Sequence, residues 1–467
     1  MKYKIFTNPA ASKYLSIQAT LENCDLPQIE VQLPAWRPGR YELQNFAKNI
    51  KSFDAFGENG KNLAVQKIAK DRWQIQTAGI KTIEIRYEYF ANQADAGGNF
   101  VDKNLLYVNP VTCCVYVEGR ITETCEVYVS GNEQQEMAGG MKAKFIGGFH
   151  HFKTDDFYHL ADLPFMLSAK MQHEVYEVND VPFHIWVAGH CEIPWDAVLE
   201  DFRKFTETQI EVFGEFPEPD FHFLLWVLPS AFYHGVEHRN STMMVLGPDT
   251  QPFEEMYIDL LGLASHELFH AWNICKIRPA ELMPYDFTKE NYFKTCFVAE
   301  GITTFYGDWM LYRSGVFNET QYKSELETCY RRHFEIADNA AQSLLDSSFD
   351  LWLDGYAQAV PDRKVSVYHK GAIAAQILQF LLKKEGKSLD DVIRLMWLRF
   401  GKPFVGYTFQ DYKTCCEEII GYDLTPYFEK CISGTESLWQ DVNALLEPRT
   451  LQLNKYEDGR VSLEVLT

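Results

Sequence analysis

The chain has 467 residues, more than one hydrophobic core usually organises, so we expect two or three domains. Its 44 Lys and Arg residues against 65 Asp and Glu residues give a formal net charge of −21, which disfavours nucleic acid and anionic membranes as partners. The 11 cysteines occur without CxxC spacing, which argues against a disulfide framework or a cysteine zinc site. With no signal peptide or run of about 18 apolar residues, we expect a cytoplasmic protein, or a periplasmic one if a leader has been removed.

The first part of the chain has the pattern of β-strands. Apolar or aromatic side chains alternate with polar ones over 14–19, 29–33, 83–89 and 125–129, and Gly, Pro and Asn residues separate these segments. This alternation predicts a β-rich N-terminal domain over residues 1–172.

After residue 172 the pattern changes from strands to helices. Strands are predicted over 182–188 and 221–228, with a helix between them, and helical spacing then predominates. The predicted helical segments are 254–274, 292–313, 320–346, 366–384, 388–399 and 409–419. The fold class is therefore α+β, with a mainly helical second domain over residues 173–447 and a short tail or hairpin over 448–467.

The segment LLGLASHELFHAWN contains the motif His-Glu-x-x-His. On a helix, His266 and His270 lie one turn apart on the same face, so both imidazoles can bind one Zn²⁺ ion. Glu267 lies beside them and can take a proton from the attacking water, whose pKa zinc lowers to about 7, and pass it to the leaving nitrogen. The alternative is that so short a motif arose by chance. The apolar helix favours a metal site, because a buried His-Glu-His cluster needs a metal or charge partner.

A catalytic zinc site needs a third protein ligand. No histidine follows at the short spacing of the metzincins, whereas Glu300 lies in the segment TCFVAEGITTFYGDW on a predicted second helix. The alternative is a glutamate on a solvated helix face. Because its neighbours are apolar, we predict that Glu300 completes the zinc site with His266 and His270.

Four separated parts of the chain together resemble the glycyl aminopeptidase family of metallopeptidases. They are LPAWRPGRYELQNFAKNI at 33–50, YHGVEHRNS at 233–241, SHELFHAWNICKIRP followed by FVAEGITTFYGDWMLYRSG, and VSVYHKGAIAAQILQ at 365–379. The resemblance implies a thermolysin-like catalytic domain of the gluzincin type behind the β-rich domain. Members commonly continue into a C-terminal PDZ domain, for which we expect no room in this chain. They also usually have two adjacent tyrosines where this chain has Val367 and Tyr368.

The resemblance assigns roles to further residues. Glu237 matches the carboxylate that binds the free α-ammonium group of the substrate, and its alternative is an edge-strand residue or a salt-bridge partner. Tyr368 matches the tyrosine whose hydroxyl donates to the oxyanion, and its alternative is an ordinary aromatic residue at a helix start. Supporting positions in the matched segments are His238, Trp272, Asn273, Arg278 and Asp308.

The leading interpretation is a zinc aminopeptidase that hydrolyses the N-terminal residue from peptides, and the resemblance implies that this residue is Gly or Ala. Its partner is then a peptide with a free amino terminus, with no nucleic acid or membrane. Two alternatives stay open at this point: a zinc endopeptidase with the same fold, and a catalytically silent homologue that binds peptides. The sequence does not determine the oligomeric state.

Overall fold

The computed structural model describes residues 1–7, 12–58 and 60–466. A strand-rich first part is followed by a mainly helical second part, which confirms the predicted α+β class. The first part comprises β1 (Lys2–Thr7), β2 (Tyr14–Leu21), β3 (Gln28–Gln32), β4 (Ile50–Gly57), β5 (Val65–Ala69), β6 (Arg72–Gln76), β7 (Ile83–Phe90), β8 (Phe100–Val101), β9 (Leu106–Val108), α1 (Pro110–Cys113), β10 (Tyr116–Val117), β11 (Cys125–Ser130), β12 (Glu136–Ala138), β13 (Lys144–Ile146), β14 (Phe149–Thr154), α2 (Phe157–Ala161) and β15 (Phe165–Ser168).

These strands form three sheets. The largest has the order β13-β14-β11-β1-β2-β7-β4, in which β1 and β11 are parallel and the other neighbours are antiparallel. The two smaller sheets have the orders β10-β3-β6-β5 and β12-β15-β9-β8. Every second residue of β2 and β7 is buried, as expected where one face of an antiparallel sheet packs on a core. That core contains Ile17, Ile85 and Val127.

A mixed sheet connects the strand-rich part to the helices. It consists of β16 (Gln172–Val178), β17 (Val181–Ala188), β18 (Phe221–Val227), β19 (Phe232–His238) and β20 (Ser241–Gly247), in the order β16-β17-β18-β20-β19. Helix α3 (Trp195–Phe213) links β17 to the parallel strand β18. Every residue of β18 is buried, which is typical of a strand covered on both faces. Strand β19 is the last of the sheet and pairs antiparallel with β20.

One face of this sheet packs on the strand-rich part, and the other face shares a core with the helices of the second part. These helices are α4 (Phe253–Phe269), α5 (Ile302–Arg313), α6 (Glu319–Phe334), α7 (Leu344–Phe349), α8 (Leu351–Asp354), α9 (His369–Lys384), α10 (Leu389–Met396), α11 (Phe409–Ile420), α12 (Thr425–Tyr427) and α13 (Trp439–Leu446). The chain then forms a hairpin of β21 (Leu451–Lys455) and β22 (Val461–Val465). Within the described ranges, no helix has the length and apolar character that crossing a bilayer requires.

Three helices differ from their predicted bounds. Helix α4, predicted over 254–274, ends at Phe269, because the chain turns from His270 onward. The segment predicted as a helix over 292–313 becomes helical only near residue 297, where a π-helical turn over Phe297–Gly301 precedes α5. The helix predicted over 320–346 ends at Phe334, because the chain turns and Ser343 starts a new helix. The Ser343 side chain accepts a hydrogen bond from the Asp346 N–H, which is the N-cap arrangement of α7.

Candidate active site

The His-Glu-x-x-His motif lies at the C-terminal end of α4. His266 and His270 point to the same side, and their Nε2 atoms are 3.0 Å apart. Glu267 is buried and points toward strand β19, where Gly235 leaves room for its carboxylate. A Cβ atom on Gly235 would overlap Oε1 of Glu267, so the strand approaches the helix this closely only with a glycine at that position.

Glu300, the third predicted ligand, lies in the π-helical turn before α5. Its Oε2 atom is 3.4 Å from Nε2 of His270 and 3.7 Å from Nε2 of His266. Helix α9 supports the turn from behind, because a Cβ on Gly371 would lie only 2.8 Å from the Cα of Gly301. The structure thus brings one ligand atom of each of the three predicted residues together from two elements of the chain.

Asn273 connects the end of helix α4 to the π-helical turn that carries Glu300. Nδ1 of His270 lies 2.8 Å from the Asn273 carbonyl oxygen, which can only accept, so in the neutral imidazole Nδ1 carries the proton and Nε2 has its lone pair toward Glu300. The Asn273 side-chain amide donates to the Val298 carbonyl oxygen at 2.8 Å and to Oγ1 of Thr303 at 3.0 Å. The sequence placed Asn273 only among the supporting residues, because nothing in it indicates which groups this amide reaches.

The donor set fits a zinc ion. Ligand atoms at about 2.0–2.1 Å from a tetrahedral zinc lie roughly 3.3–3.4 Å from one another. The Nε2 and Oε2 atoms of His266, His270 and Glu300 are 3.0–3.7 Å apart. Charge points to the same conclusion, because Glu237, Glu267 and Glu300 are all buried around the two imidazoles, and a divalent cation would balance their negative charge.

Without a metal, burial and neighbouring charges shift the pKa values of the buried carboxylates and imidazoles at this centre. Burial raises the pKa of Glu267 to about 8; His270 opposes this rise, while Glu237 and Glu300 add to it. Burial lowers the pKa of His270, but the carboxylates around it outweigh this effect and raise the value to about 10. Burial also raises the pKa of Glu237. A metal ion among these groups favours the ionised carboxylates and the neutral imidazole.

A cavity of about 410 Å³ opens beside the three ligand atoms. Glu237 on β19 lines it and is only 8% exposed. Tyr368, the residue before α9, also lines it, with its ring centroid 6.4 Å from that of His266. Burial raises the pKa of Tyr368 well above its ordinary value, so its hydroxyl stays protonated and can donate a hydrogen bond. All the predicted site residues therefore line one cavity.

The cavity contains polar residues that the sequence did not single out. Glu325 and Arg332 come from α6, and only tertiary packing brings them to the site. Asp308, predicted as supporting, follows Glu300 by about two helical turns along α5, and this spacing could have placed both on the same side. Gly39, from the strand-rich part, also lines the cavity.

The remaining supporting residues contribute to packing rather than to the cavity wall. His238 lies 2.9 Å from Asp162 through its Nδ1 atom. The Trp272 ring stacks on Phe213 with centroids 4.4 Å apart, in the core behind α4. Arg278 lies over the ring of Tyr285. These contacts stabilise the segments that flank the site.

Two family models match the chain. The model described as the Peptidase M61 N-terminal domain matches residues 2–169, and the model described as M61 glycyl aminopeptidase matches residues 259–374. Together they cover more than half of the 467 residues. Among curated proteins, none matches the chain significantly.

Solved structures match over nearly the whole chain. An aminopeptidase N family protein from Idiomarina loihiensis is 26% identical with a TM-score of 0.88, covering 97% of this chain and 79% of its own. An M1 zinc metallopeptidase from Deinococcus radiodurans has a TM-score of 0.56 at 13% identity, covering 93% of each chain. A mutant of that enzyme bound to a Tyr-Ser-Ala substrate matches with the same TM-score of 0.56 at 12% identity and 93% coverage of each chain. At these lower identities the likeness concerns the fold.

Proposed function

Because the chain belongs to the M61 glycyl aminopeptidase family, and is therefore a peptidase, we propose that it is a zinc-dependent aminopeptidase. His266, His270 and Glu300 would hold the metal, and Glu237 would select a free amino terminus. The observation that carries this proposal is the convergence of the three ligand atoms in one cavity with a further buried carboxylate.

Zinc bound by these residues would supply Lewis acidity, polarising the scissile carbonyl and lowering the pKa of water. Glu267 acts as the general base. Its Oε2 atom is buried and has no hydrogen-bond partner among the described residues, so it is free to accept a proton from the attacking water. The same carboxyl group then delivers that proton to the leaving nitrogen.

Tyr368 acts on the oxygen atom of the reacting carbonyl group. Its protonated hydroxyl donates a hydrogen bond to the oxygen on which negative charge develops. Its position directly before α9 supports this role, because the contact between Gly301 and Gly371 fixes the start of this helix against the turn that carries Glu300.

Glu237 binds the ammonium group of the substrate by charge pairing. Strand β19 lies at the edge of its sheet, so an extended peptide can align beside it with its amino terminus at Glu237. Because Glu237 is buried, binding a substrate with a blocked amine would leave the Glu237 carboxylate without a charge partner. The family relationship supports Gly or Ala as the residue removed.

Cleavage of Gly- and Ala-p-nitroanilide, before and after chelation and after zinc is restored, tests the proposal. We expect cleavage of the free substrates only when zinc is bound. The N-acetylated substrates should not be cleaved. Activity that survives complete metal removal would contradict the zinc mechanism. Equal cleavage of acetylated and free peptides would favour the endopeptidase alternative, and stoichiometric zinc without any cleavage would favour a silent peptide-binding protein.

A further inference from the structure

A tight turn over residues 37–40 reaches from the strand-rich part into the candidate active site. The Arg40 N–H donates to the Arg37 carbonyl oxygen at 3.3 Å, and Gly39 has a φ of +75°. With Pro38 in the second position and Gly39 in the third, these features define a type II β-turn. The third position of such a turn needs a positive φ, which glycine adopts without steric strain.

The tip of this turn lies against Glu237. A Cβ atom on Gly39 would be 2.6 Å from Oε2, 3.1 Å from Cδ and 3.1 Å from Oε1 of Glu237. The backbone of Gly39 therefore covers all three atoms of the carboxylate group. Because Glu237 is only 8% exposed and lines the cavity, a larger side chain at position 39 would displace the carboxylate toward the cavity.

The residues before the turn anchor it to the helical part. Trp36 is fully buried, and its indole N–H donates to the Asp286 carbonyl oxygen at 2.8 Å. Its ring also contacts Trp352 edge to face, with centroids 5.1 Å apart. The Ala35 N–H donates to the Phe287 carbonyl oxygen at 2.8 Å. These contacts fix the distance between the turn and the site.

The residue after Gly39 extends toward the proposed oxyanion donor. The guanidinium of Arg40 lies 5.7 Å from the ring centroid of Tyr356. The ring of Tyr356 is in turn 6.3 Å from the ring of Tyr368. The turn thus contacts Glu237 directly, and the ring of Tyr356 lies between its last residue, Arg40, and Tyr368.

We propose that this turn is a specificity-determining element of the peptidase: Gly39 holds the Glu237 carboxylate in place and closes the cavity beyond it. A bound peptide must then end at the residue whose ammonium group Glu237 holds. This inference rests on the proposed aminopeptidase function and adds that the strand-rich part, through Gly39, helps to restrict the enzyme to peptide ends.

Comparing Gly39→Ala with Gly79→Ala tests the inference. Gly79 has a φ of +78° and no heavy atom within 4 Å of the position that a Cβ would take, so both variants carry the same backbone strain. Only Gly39→Ala adds an overlap with Glu237. We expect Gly39→Ala to lower kcat/KM for free amino-terminal substrates roughly 10–100-fold, mainly through KM, since it misplaces one charged contact. Zinc content should not change, and Gly79→Ala should match the wild type.

If Gly39→Ala alone folds poorly, the same substitution is tested in a Glu237→Ala variant. Truncating Glu237 makes room for the new methyl group, so Gly39→Ala should lower the Tm less in this background than in the wild type. Equal effects of Gly39→Ala and Gly79→Ala on kcat/KM and Tm would overturn the inference. A wild-type enzyme that cleaves acetylated and free peptides equally would instead contradict the proposed function, so the two failures are distinguishable.

Discussion

Among single residues, Glu267 determines the proposed proton transfer most directly. Glu267→Gln preserves the shape of the side chain but removes its ability to accept a proton. We expect kcat to fall about 10²–10⁴-fold with full zinc content, as measured by peptide cleavage and metal analysis. Glu254→Gln, at the exposed start of the same helix, serves as the control and should leave both unchanged. Loss of zinc together with activity would assign Glu267 to the metal instead.

Asp308 gives a prediction about stability and pH. Burial raises its pKa from 3.8 to about 7, with Glu325 adding to the rise and Arg332 opposing it. The folded protein thus retains a proton that the unfolded chain releases at lower pH. Ionisation of Asp308 therefore destabilises the fold progressively as pH rises from about 4 to about 7. As pH rises over this range, we expect the Tm of Asp308→Asn to increase relative to that of the wild type. At higher pH the difference between the two Tm values should stay constant. A pH-independent difference would contradict this assignment.

How far the sequence predicts the site differs from residue to residue. Helical spacing alone predicts that His266 and His270 share one face, and the apolar surroundings of Glu300 indicate its burial. Glu237 and Tyr368 were identified only by resemblance to the family. The contact between Gly39 and Glu237 was not predicted, because it joins a turn and a strand that are far apart in the chain.

Among the elements, the contact between α9 and the π-helical turn gives a prediction about packing. A Cβ on Gly371 would lie 2.8 Å from the Cα of Gly301, so Gly371→Ala has to separate the two elements. We expect a loss of about 1–3 kcal/mol in stability, measured by urea unfolding. In Gly262→Ala on α4 the methyl group meets no atom within 4 Å, so this control should gain about 0.5–1 kcal/mol. Equal effects of the two substitutions would contradict the packing argument.

Regular elements follow the sequence pattern more closely than irregular ones. Helices α9 and α11 lie within a few residues of their predicted bounds because their apolar periodicity extends to their ends. The π-helical turn before α5 has no compositional signal, since its hydrogen-bond pattern depends on packing against α9 and Asn273. The predicted helix over 320–346 was too long because the polar residues after Phe334 do not interrupt the helical pattern.

For the whole molecule, zinc should act as a stabilising ligand. An ion held between α4 and the turn carrying Glu300 binds the folded chain more tightly than the unfolded chain, so zinc in excess should raise the Tm. We expect chelation to lower the Tm and re-addition of zinc to restore it, as followed by calorimetry. His270→Ala should respond to neither treatment. A wild-type Tm that is independent of zinc would contradict metal binding at this site.

The overall architecture was predictable at the level of class. Alternation in the first part and helical spacing in the second predict the α+β class that the structure has. Sheet order was not predictable, because pairings such as β1 with β11 join distant segments. The division of the chain into domains at residues 172 and 447 stays a prediction.

The distribution of the proposed ligands over two elements has a consequence for how the protein acquires its metal. A nascent chain that has formed only α4 offers a histidine pair, which holds zinc weakly. The third proposed donor would join when Asn273 bonds the turn that carries Glu300, so zinc affinity would increase at the moment of tertiary docking. Under the proposed function, metal uptake would then be a late maturation step, and we expect partly folded chains to be catalytically inert.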